Sequence, residues 1–432
     1  MHIKKHLGFD SLREQLSKRF NQIEDPRQQG KVDYSIHDCC MCGFAMMFFQ
    51  DPSLLEFQER MQERIQMNNL RNVFNVTAIP KDTQLRDILD EAPSDKLAEV
   101  FPDYFRQLQR GKHLETYQFM GGKYLVTLDG SEYFNSYKIH CPSCLWKERR
   151  NGQIQYHHQV LQAALVHPDM KQVFPLAPEQ IKNVDGLIKQ DCEINAGKRL
   201  VEKIRATHPK LGIIIVGDSL YSKQPFILKL QRLGMSYILV AKPDDHKALM
   251  KWIESQTLKG NIARYEFEDK KGHHIYEWIT DAPLNANPDA IHVNYFQYRI
   301  EVNGKITYRN SWITDLPVNK FNVAHMARGG RSRWKIENEG FNTLKNQGYH
   351  LEHNFGHGKK NLSFNFLVLN LLAFFTHQIF ELTDLLYKRC RAKFSARKEY
   401  WNQLRCTFRI LCFKSWEHLL RFIISPPESQ PP

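Results

Sequence analysis

A continuous apolar run in the middle of the chain restricts its fold more than any other feature. Residues 211–217 read Leu-Gly-Ile-Ile-Ile-Val-Gly, and Asp218 follows them directly. A strand without polar alternation is typical of a sheet that helices cover on both faces. Residues 225–233 have the pattern of a helix and residues 237–241 that of another strand. The middle of the chain is therefore predicted to be α/β.

The α/β region is predicted to begin near Gly121. Residues 123–128 and 156–166 are rich in β-branched and apolar residues, which is typical of strands. A helix is expected over 191–207. Further along, apolar and polar residues alternate, and Asn303-Gly304 has the sequence of a tight hairpin turn, so an antiparallel β-rich insertion is predicted there.

Both ends of the chain are predicted to be helical. Asp51-Pro52 has the pattern of a helix start, for a helix that reaches Gln66, and Asp82 and Ser94 are candidate starts of two more. This first part is either a DNA-binding domain or a helical cap on the α/β core. The predicted divisions are a helical part at 1–112, the first part of the core at 113–241, the β-rich insertion at 242–319, the second part of the core at 320–387, and a basic helical tail at 388–432.

The tail carries ten Lys or Arg residues against two Glu between residues 388 and 421. Four aromatic residues are interleaved with these charges: Trp401, Phe408, Phe413 and Trp416. This pattern fits either a contact with nucleic acid or a helix with one solvated basic face. The last eight residues, 425–432, are expected to be disordered.

Composition narrows the partners and the compartment. Sixty Lys and Arg residues against 47 Asp and Glu give a net charge of +13, which favours a polyanionic partner such as nucleic acid or an anionic membrane surface. Nine cysteines without a regular spacing fit a reducing cytoplasm, and the N-terminus lacks the pattern of a secretory signal. Asn365, Asn370 and His377 interrupt the apolar stretch 362–380, which is therefore predicted to be a buried core helix and not a membrane span.

Asp129 and Asp218 each follow an apolar run that is predicted to be a buried strand. Functional sites in α/β sheets form at the carboxyl ends of strands, and a carboxylate there needs water, a hydrogen-bond donor or a cation. Either residue alone is more often the cap of a turn or of the next helix. Two such carboxylates on neighbouring strands could share a divalent metal ion.

A third acidic residue lies in a helix predicted over 331–345. At about 100° per residue, Arg333 lies about 40° from Glu337 on the helix surface, and Lys345 lies about 80° from it on the other side. Glu339 points away from this face. One carboxylate and two cations therefore share a face, although an amphipathic helix with an (i, i+4) ion pair explains the same pattern.

The chain resembles the DDE transposases of the insertion-sequence-four-like superfamily. The resemblance lies in the order of its parts: a strand and Asp129, a strand and Asp218, a β-rich insertion, and a helix with Arg333 and Glu337. The resemblance covers residues 120 to 380. The family's helix carries Tyr, two spacers, Arg, three spacers, Glu, six spacers and Lys. Here the Tyr position is Gly330, and the Lys position is a leucine followed directly by Lys345.

The resemblance implies a ribonuclease-H-like catalytic core, interrupted by the insertion and flanked by the helical N-terminal part and the helical tail. It implies that two Mg²⁺ ions, or Mn²⁺ in their place, are held by carboxylates. The catalytic and metal-binding residues would be Asp129, Asp218 and Glu337. The residues that bind DNA phosphates would be Arg331, Arg333 and Lys345. A flipped base could stack on an aromatic residue of the insertion, with Trp278 and Trp312 as candidates, although both are more often core residues.

Cys141 and Cys144 have the spacing of the first half of a zinc site, and a histidine pair, His157 and His158, follows about twelve residues on, with His158 as the candidate for a further ligand. His140 and His157 flank this set. The second half lacks the usual histidine spacing, so a plain hairpin between two strands is the alternative interpretation.

Two other groups have weaker metal-binding patterns. The cysteines at 39, 40 and 42 follow His37 but precede an apolar stretch, which favours buried thiols. His353 and His357 are four residues apart, yet the glycines around them favour a loop whose lysines meet phosphate, or a purely structural turn.

The sequence is interpreted as that of a transposase, which cleaves and joins DNA strands at the terminal inverted repeats of an insertion sequence. The resemblance implies a homodimer in a synaptic complex with double-stranded DNA ends and target DNA. It also implies a bacterial cytoplasmic protein, associated with the nucleoid when bound to DNA, and no membrane partner. The alternatives are a hydrolytic nuclease with the same core and a catalytically silent DNA-binding protein.

Overall fold

The computed structural model describes residues 5–25, 27, 32–183 and 190–426. The predicted disordered end lies outside these ranges from residue 427 onward. The described chain combines one large mixed sheet with helices from both ends of the sequence. The predicted α/β class is confirmed.

The sheet has eleven strands. They are β1 Tyr124–Ser136, β2 Leu145–Glu148, β3 Ile154–Val166, β4 Phe174–Pro175, β5 Glu179–Ile181, β6 Ile213–Gly217, β7 Ser236–Val240, β8 Ala263–Asp269, β9 Gly272–Pro283, β10 His292–Val302 and β11 Lys305–Thr314. Their order is β2-β3-β1-β6-β7-β11-β10-β9-β8, and β4 and β5 pair with β3.

The centre of the sheet is a ribonuclease-H-like core. β1 pairs with β3 in antiparallel and with β6 in parallel orientation, and β6 pairs with β7 in parallel orientation. Every residue of β6 is buried, as its continuous apolar sequence predicts. Helices α8 Glu193–Thr207, α9 Gln224–Arg232 and α11 Val323–Arg331 pack on the strands of this sheet.

The insertion is antiparallel, as predicted, but it begins with a helix, Lys247–Leu258 (α10), that the strand-like alternation did not indicate. β8 to β11 follow as antiparallel neighbours. The turn between β10 and β11 is the predicted hairpin, because Asn303 and Gly304 both have positive φ angles, of 52° and 75°. β11 pairs with β7, so the insertion continues the core sheet edge to edge.

The remaining helices come from both ends of the chain. They are α1 Phe9–Asn21, α2 Ile36–Phe48, α3 Leu54–Met61, α4 Arg64–Phe74, α5 Asp82–Glu91, α6 Ser94–Ala98, α7 Val100–Arg110, α12 Asn342–Asn346, α13 Leu362–Thr383, α14 Leu385–Arg391, α15 Arg397–Ile410 and α16 Trp416–Ile424. Short 3-10 helices occupy Lys5–Leu7, His113–Tyr117 and Met120–Gly122.

Helix α13 is the one helix among the described residues that is long and apolar enough to cross a membrane. Of its apolar 18-residue stretch, 83% is buried inside the protein. It packs against α2, α5 and α6 from the N-terminal part and against α14. Asn365 donates hydrogen bonds to the carbonyls of Leu89 and Ala92, and Asn370 donates to Tyr349. The polar residues that interrupt its apolar sequence are therefore paired in the core, as the prediction of a buried helix requires.

The helix predicted from Asp51-Pro52 to Gln66 is wrong in both its start and its end. Helix α3 starts after Ser53, whose hydroxyl accepts a hydrogen bond from the backbone N–H of Glu56, and it ends at Met61. Asp51 is buried and accepts two hydrogen bonds of 2.7 Å from Arg60. The cap position therefore belongs to the serine, while the aspartate forms a buried ion pair.

The aromatic residues of the tail are buried, which excludes them as stacking platforms for nucleic-acid bases. Trp401 is 1% exposed and Trp416 is 3% exposed, and both rings lie against Phe48 of α2. Phe408 and Phe413 are also buried, and Asn69 of α4 donates to the carbonyl of Phe408. The aromatic side chains of the tail thus complete a helical core together with the first part of the chain.

Candidate active site

The register of the central strands brings Asp129 and Asp218 to the same level of the sheet. β1 and β6 pair from Tyr124 with Ile213 to Thr127 with Val216. Two residues further along this register, Asp129 is the neighbour of Asp218, which follows the last residue of β6. The two aspartates therefore lie side by side where the parallel pairing ends.

The prediction that Asp129 ends its strand is wrong. β1 continues to Ser136, and Asp129 lies within it, opposite Gln162 of β3. Strand β6 ends at Gly217, but the antiparallel pairing of β1 with β3 continues as far as Ser136 and Tyr156. The strand β1 is therefore longer than its parallel neighbour β6. The apolar pattern thus ends close to the point where the parallel pairing with β6 ends, although the strand itself continues.

The continuous α-helix predicted over 331–345 is also wrong. Helix α11 ends at Arg331, a turn follows, and Ile336–Phe341 form a π-helix that leads directly into α12. A π-helical turn holds one residue more than an α-helical turn. Lys345, eight positions after Glu337, therefore comes to the face that a residue seven positions on would occupy in an α-helix, about 20° from Glu337.

Glu337 and Arg333 form an ion pair across the turn before the π-helix. Arg333 Nη1 lies 2.8 Å from Glu337 Oε1, and the arginine side chain is 11% exposed against 35% for the glutamate. The guanidinium carbon of Arg333 lies 4.5 Å from the ring centre of the exposed Trp334. The predicted Arg333–Glu337 pair is thus present, with the guanidinium held between a carboxylate and a ring.

The other two predicted phosphate-binding residues, Lys345 and Arg331, have partners of their own. Lys345 Nζ lies 2.8 Å from Glu352 Oε1. The guanidinium of Arg331 lies over the ring of Tyr308 of the insertion, 4.6 Å from its centre. Arg331 therefore joins the helix α11 to the insertion.

Four carboxylates influence one another in this region. The pKa of Asp129 is raised to about 7, mainly by burial and also by the negative charges of Glu337, Glu193 and Asp218, against the positive charge of Arg333. Burial and the charge of Asp218 also raise the pKa of Glu193, against the hydrogen bond from Tyr221. These carboxylates bring together more negative charge than the guanidinium of Arg333 balances.

Glu193 was not identified from the sequence. It is the first residue of α8, where acidic residues are common because they interact favourably with the helix dipole, so its position carries no signal of its own. The Tyr221 hydroxyl donates a hydrogen bond of 2.8 Å to Glu193 Oε1. A Cβ on Gly130 would lie 2.5 Å from Glu193 Oε2, so the carboxylate rests directly against the strand residue next to Asp129.

The donor set suits a hard divalent cation. Carboxylate oxygens are the ligands that Mg²⁺ and Mn²⁺ prefer, and a bound cation would favour the ionised form of Asp129, which burial and the neighbouring carboxylates disfavour. Asp218 keeps one oxygen in a turn, because Oδ1 accepts the backbone N–H of Leu220. Its function as a turn residue and a function as a ligand through Oδ2 are therefore compatible.

Trp312 is excluded as a platform for a flipped base. Its side chain is fully buried, stacks on Phe296, and fills the space beside Gly330, where a Cβ would lie 2.5 Å from its Nε1. Trp278, on β9, is partly buried against the hydrophobic core. The core interpretation thus applies to Trp312.

A second group of chemically reactive side chains lies at the predicted zinc site. Cys141, Cys144 and His158 come together, and His357 joins them from a loop before α13. His157 faces away, because neighbouring residues of a strand point to opposite sides of the sheet. The sequence pattern pairs His357 with His353, but in the structure His357 lies with Cys141, Cys144 and His158. These three residues are about 200 positions earlier in the chain, so the local pattern does not indicate them.

The cysteines at 39, 40 and 42 are fully buried in α2, in agreement with the interpretation as buried thiols. Burial raises the pKa of Cys39 to about 12 and the pKa values of the other two well above their usual range. Thiols of this kind stay protonated and pack as apolar groups.

The chain is similar in sequence to a known protein family. The sequence model of a family described as the transposase DDE domain matches residues 146–375, which is more than half of the chain and includes Asp218 and Glu337. Asp129 lies before the matched range. No match to the chain is found among the curated proteins. With a ribonuclease-H-like sheet, a carboxylate site at its centre and this match, the chain belongs to the transposase DDE-domain family.

Proposed function

We propose that this protein cleaves and joins DNA strands at the terminal inverted repeats of an insertion sequence. The observation that carries the proposal is the common register of Asp129 and Asp218, with Glu337 and its arginine partner within electrostatic reach of Asp129. The catalytic residues are Asp129, Asp218 and Glu337, and the same three carboxylates would hold two Mg²⁺ ions, or Mn²⁺ in their place. Bound Mg²⁺ would activate the attacking oxygen and stabilise the leaving oxygen.

Arg333 has the position of a phosphate-binding residue. Its guanidinium is mostly buried, is held at Glu337, and keeps donor N–H groups that the carboxylate does not use. A planar guanidinium can bind a DNA phosphate with two parallel hydrogen bonds. Arg333 would thus hold the scissile strand against the carboxylates.

Lys345 and Arg331 are proposed to contact phosphates further from the reacting atoms. The π-helix turns Lys345 toward the face of Glu337, and its partner Glu352 is more than half exposed, so this ion pair can exchange for one with phosphate at low cost. Arg331 is exposed and stacked on Tyr308, between the core and the insertion. DNA that runs along both parts would pass this residue.

Glu193 is proposed as a positioning residue. It is held by Tyr221 against Gly130, one residue from Asp129, and its charge acts on Asp129. Removal of this charge would favour the ionised form of Asp129 at a given pH, so Glu193→Gln should shift the pH profile of cleavage to lower pH. A Glu193 that only supports the fold would change the rate without moving the profile.

The helical part at 1–112 is proposed to bind the DNA ends, and the protein to act as a homodimer that holds two ends. Lys18, Arg106 and Arg110 line a groove between α1 and α7. Replacement of Lys18 and Arg110 by Gln should weaken binding to all DNA sequences and reduce its salt dependence by about one unit of slope for each lost phosphate contact.

The experiment compares the wild type with Asp129→Ala, Asp218→Ala and Glu337→Gln on labelled element ends with Mg²⁺. We expect cleavage and joining by the wild type and loss of both, by about 10³-fold or more, in the three variants. Glu132→Gln is the matched control, because this carboxylate lies on the same strand but is paired with Lys147. Full activity in the three variants would show that the catalytic assignment is wrong.

The same assay separates the alternatives. Hydrolysis of DNA without joining would identify a nuclease with this core. Binding without cleavage by the wild type, with either Mg²⁺ or Mn²⁺, would identify a silent DNA-binding protein. Chemical crosslinking with and without DNA ends tests whether two chains assemble on them.

A further inference from the structure

Two cysteines and two histidines from three separate segments meet at one point. Cys141 and Cys144 lie in the connection between β1 and β2, His158 lies on β3, and His357 lies in the loop between α12 and α13. One ligand atom from each of the four residues lies within 4.8 Å of the other three. Cys144 and His158 are buried, so the group is formed by packing and not by chance proximity on the surface.

The distances fit the edges of a tetrahedron around zinc. A Zn–S bond of about 2.3 Å and a Zn–N bond of about 2.0 to 2.1 Å give edges of about 3.8 Å between sulfurs, about 3.5 Å between sulfur and nitrogen, and about 3.3 Å between nitrogens. The two Sγ atoms are 3.8 Å apart. His158 Nε2 lies 3.6 Å from each sulfur, and His357 Nε2 lies 3.4 Å from Cys144 Sγ. The two Nε2 atoms are 3.1 Å apart.

The hydrogen bonds of His357 leave its inner nitrogen free to bind a metal. His357 Nδ1 lies 3.0 Å from the carbonyl oxygen of Gly358 and donates its proton there. The proton of neutral His357 is then on Nδ1, and the Nε2 lone pair points at Cys144 and His158. Such a partner on the outer nitrogen is usual for a metal-bound histidine.

A disulfide explains less of this arrangement than a metal ion does. A bond between Cys141 and Cys144 would use the two sulfurs alone and would leave the Nε2 atoms of His158 and His357 facing each other at 3.1 Å. A cation at the centre uses all four ligands. The sulfur-rich, four-ligand set selects zinc over Mg²⁺ or Mn²⁺, which prefer oxygen.

We propose that Cys141, Cys144, His158 and His357 form a structural zinc site that fastens the loop after the Glu337 segment to strand β3 and to the connection between β1 and β2. The site is closed, since protein atoms supply all four ligands of a tetrahedral ion. Asp90 holds the same loop from the other side, because its carboxylate accepts the backbone N–H groups of residues 359–362. The zinc ion thus fixes the connection between the catalytic carboxylate Glu337 and the core helix α13.

The test measures metal content and ligand chemistry in the purified full-length protein. We expect one zinc ion per chain by mass spectrometry of metals, and a cobalt-substituted protein with the intense visible bands of a tetrahedral site and a near-ultraviolet thiolate-to-cobalt band. His357→Ala should retain less than about a tenth of the metal affinity of the wild type. His353→Ala, in the same loop but outside the group of four, is the matched control and should bind zinc as the wild type does.

The wild-type spectrum decides the proposal even where a variant fails to fold. Zinc-free wild-type protein that gives no tetrahedral cobalt spectrum on titration would overturn the proposal, as would equal zinc affinity in His357→Ala and the wild type. Zinc content is measured without DNA, so this result is independent of cleavage. A protein that holds zinc but does not cut DNA would leave this site established and the proposed transposase chemistry wrong.

Discussion

Asp129 shows how a single residue can be costly to the fold and useful to the site. Burial and the neighbouring charges raise its pKa from 3.8 to about 7. The folded protein therefore binds this proton more tightly than the unfolded chain does, and the free energy of unfolding decreases as pH rises from about 4 to about 7. A divalent cation at the carboxylates would reverse this cost.

Asp129→Asn should therefore stabilise the metal-free protein above pH 7, by on the order of 2–4 kcal/mol, because the buried charge is removed. The gain should disappear near pH 4, where the wild-type carboxyl is protonated. Urea denaturation in the presence of a chelator, at pH 4.5 and pH 8, measures both values. Asp289→Asn, at an exposed aspartate, is the control and should change little at either pH.

Gly130 is the residue whose missing side chain makes room for Glu193. A Cβ at this position would lie 2.5 Å from Glu193 Oε2. Gly130→Ala should lower the free energy of unfolding by about 1–2 kcal/mol through overpacking. In a Glu193→Ala background the same change should cost much less, and a double-mutant cycle from thermal denaturation measures the difference. Equal costs in the two backgrounds would contradict the contact.

The sequence supports the candidate residues unevenly at this scale. Asp129, Asp218 and Glu337 could be proposed because each combines a carboxylate with a recognisable local pattern. Glu193 and His357 lie beside their partners only after the chain has folded, and a helix-start glutamate or a loop histidine has ordinary local explanations. The local sequence pattern around a residue does not show which distant segments that residue contacts in the fold.

At the scale of elements, the π-helix is the main departure from the prediction. The prediction over 331–345 is that of an α-helix with 3.6 residues per turn. The pattern of charges does not indicate the wider π-helical turn at Ile336–Phe341, which holds one residue more. With that residue counted, Lys345 and Glu337 come to one face. Strands were easier to predict than this turn, because burial on both faces or alternation is visible in the sequence, whereas the pairing of β11 with β7 is not.

Asp90 of α5 holds the loop that leads into helix α13, because its carboxylate accepts the backbone N–H groups of residues 359–362. Burial alone would raise its pKa, but the backbone N–H donors of Lys359, Leu362 and the residues between them lower it. Asp90→Asn should cost about 1–2 kcal/mol at pH 7. Because the folded pKa is lowered, this contribution is complete above pH 4 and is lost as pH falls through the folded value.

Guanidinium denaturation of Asp90→Asn and the wild type between pH 2.5 and 7 measures this dependence. Asp87→Asn is the matched control, since Asp87 is an exposed residue of the same helix. A stability difference between Asp90→Asn and the wild type that stays constant over this pH range would show that the charge of Asp90 does not hold the loop.

For the whole molecule, the two ends of the chain share one core. Rings from α15 and α16 contact Phe48 of α2, with centroid distances of 5.6 Å for Trp401 and 5.0 Å for Trp416. The sequence showed the aromatic residues of the tail but not which surface they face. The sequence does not decide whether these aromatic side chains are buried, because a basic helix with interleaved aromatic residues has the same local pattern in a core as on a nucleic acid.

Trp401→Ala should therefore lower the free energy of unfolding by about 3–5 kcal/mol, as loss of a fully buried tryptophan does. Ile410→Ala, in the same helix but 67% exposed, should change it by less than about 0.5 kcal/mol. Chemical denaturation followed by circular dichroism measures both. A small effect of Trp401→Ala, together with unchanged DNA binding, would contradict the shared core.

Because the two ends of the chain share one core, this core can form only after the tail has been synthesised. Phe48 leaves the ribosome long before Trp416 has been synthesised, and at 5–20 residues per second the interval is on the order of 20 to 70 s. Throughout that interval the N-terminal helices expose the apolar surface that the tail later covers. Nascent chains should therefore depend on chaperones until α16 has been synthesised, and a chain truncated before this helix should be prone to aggregation.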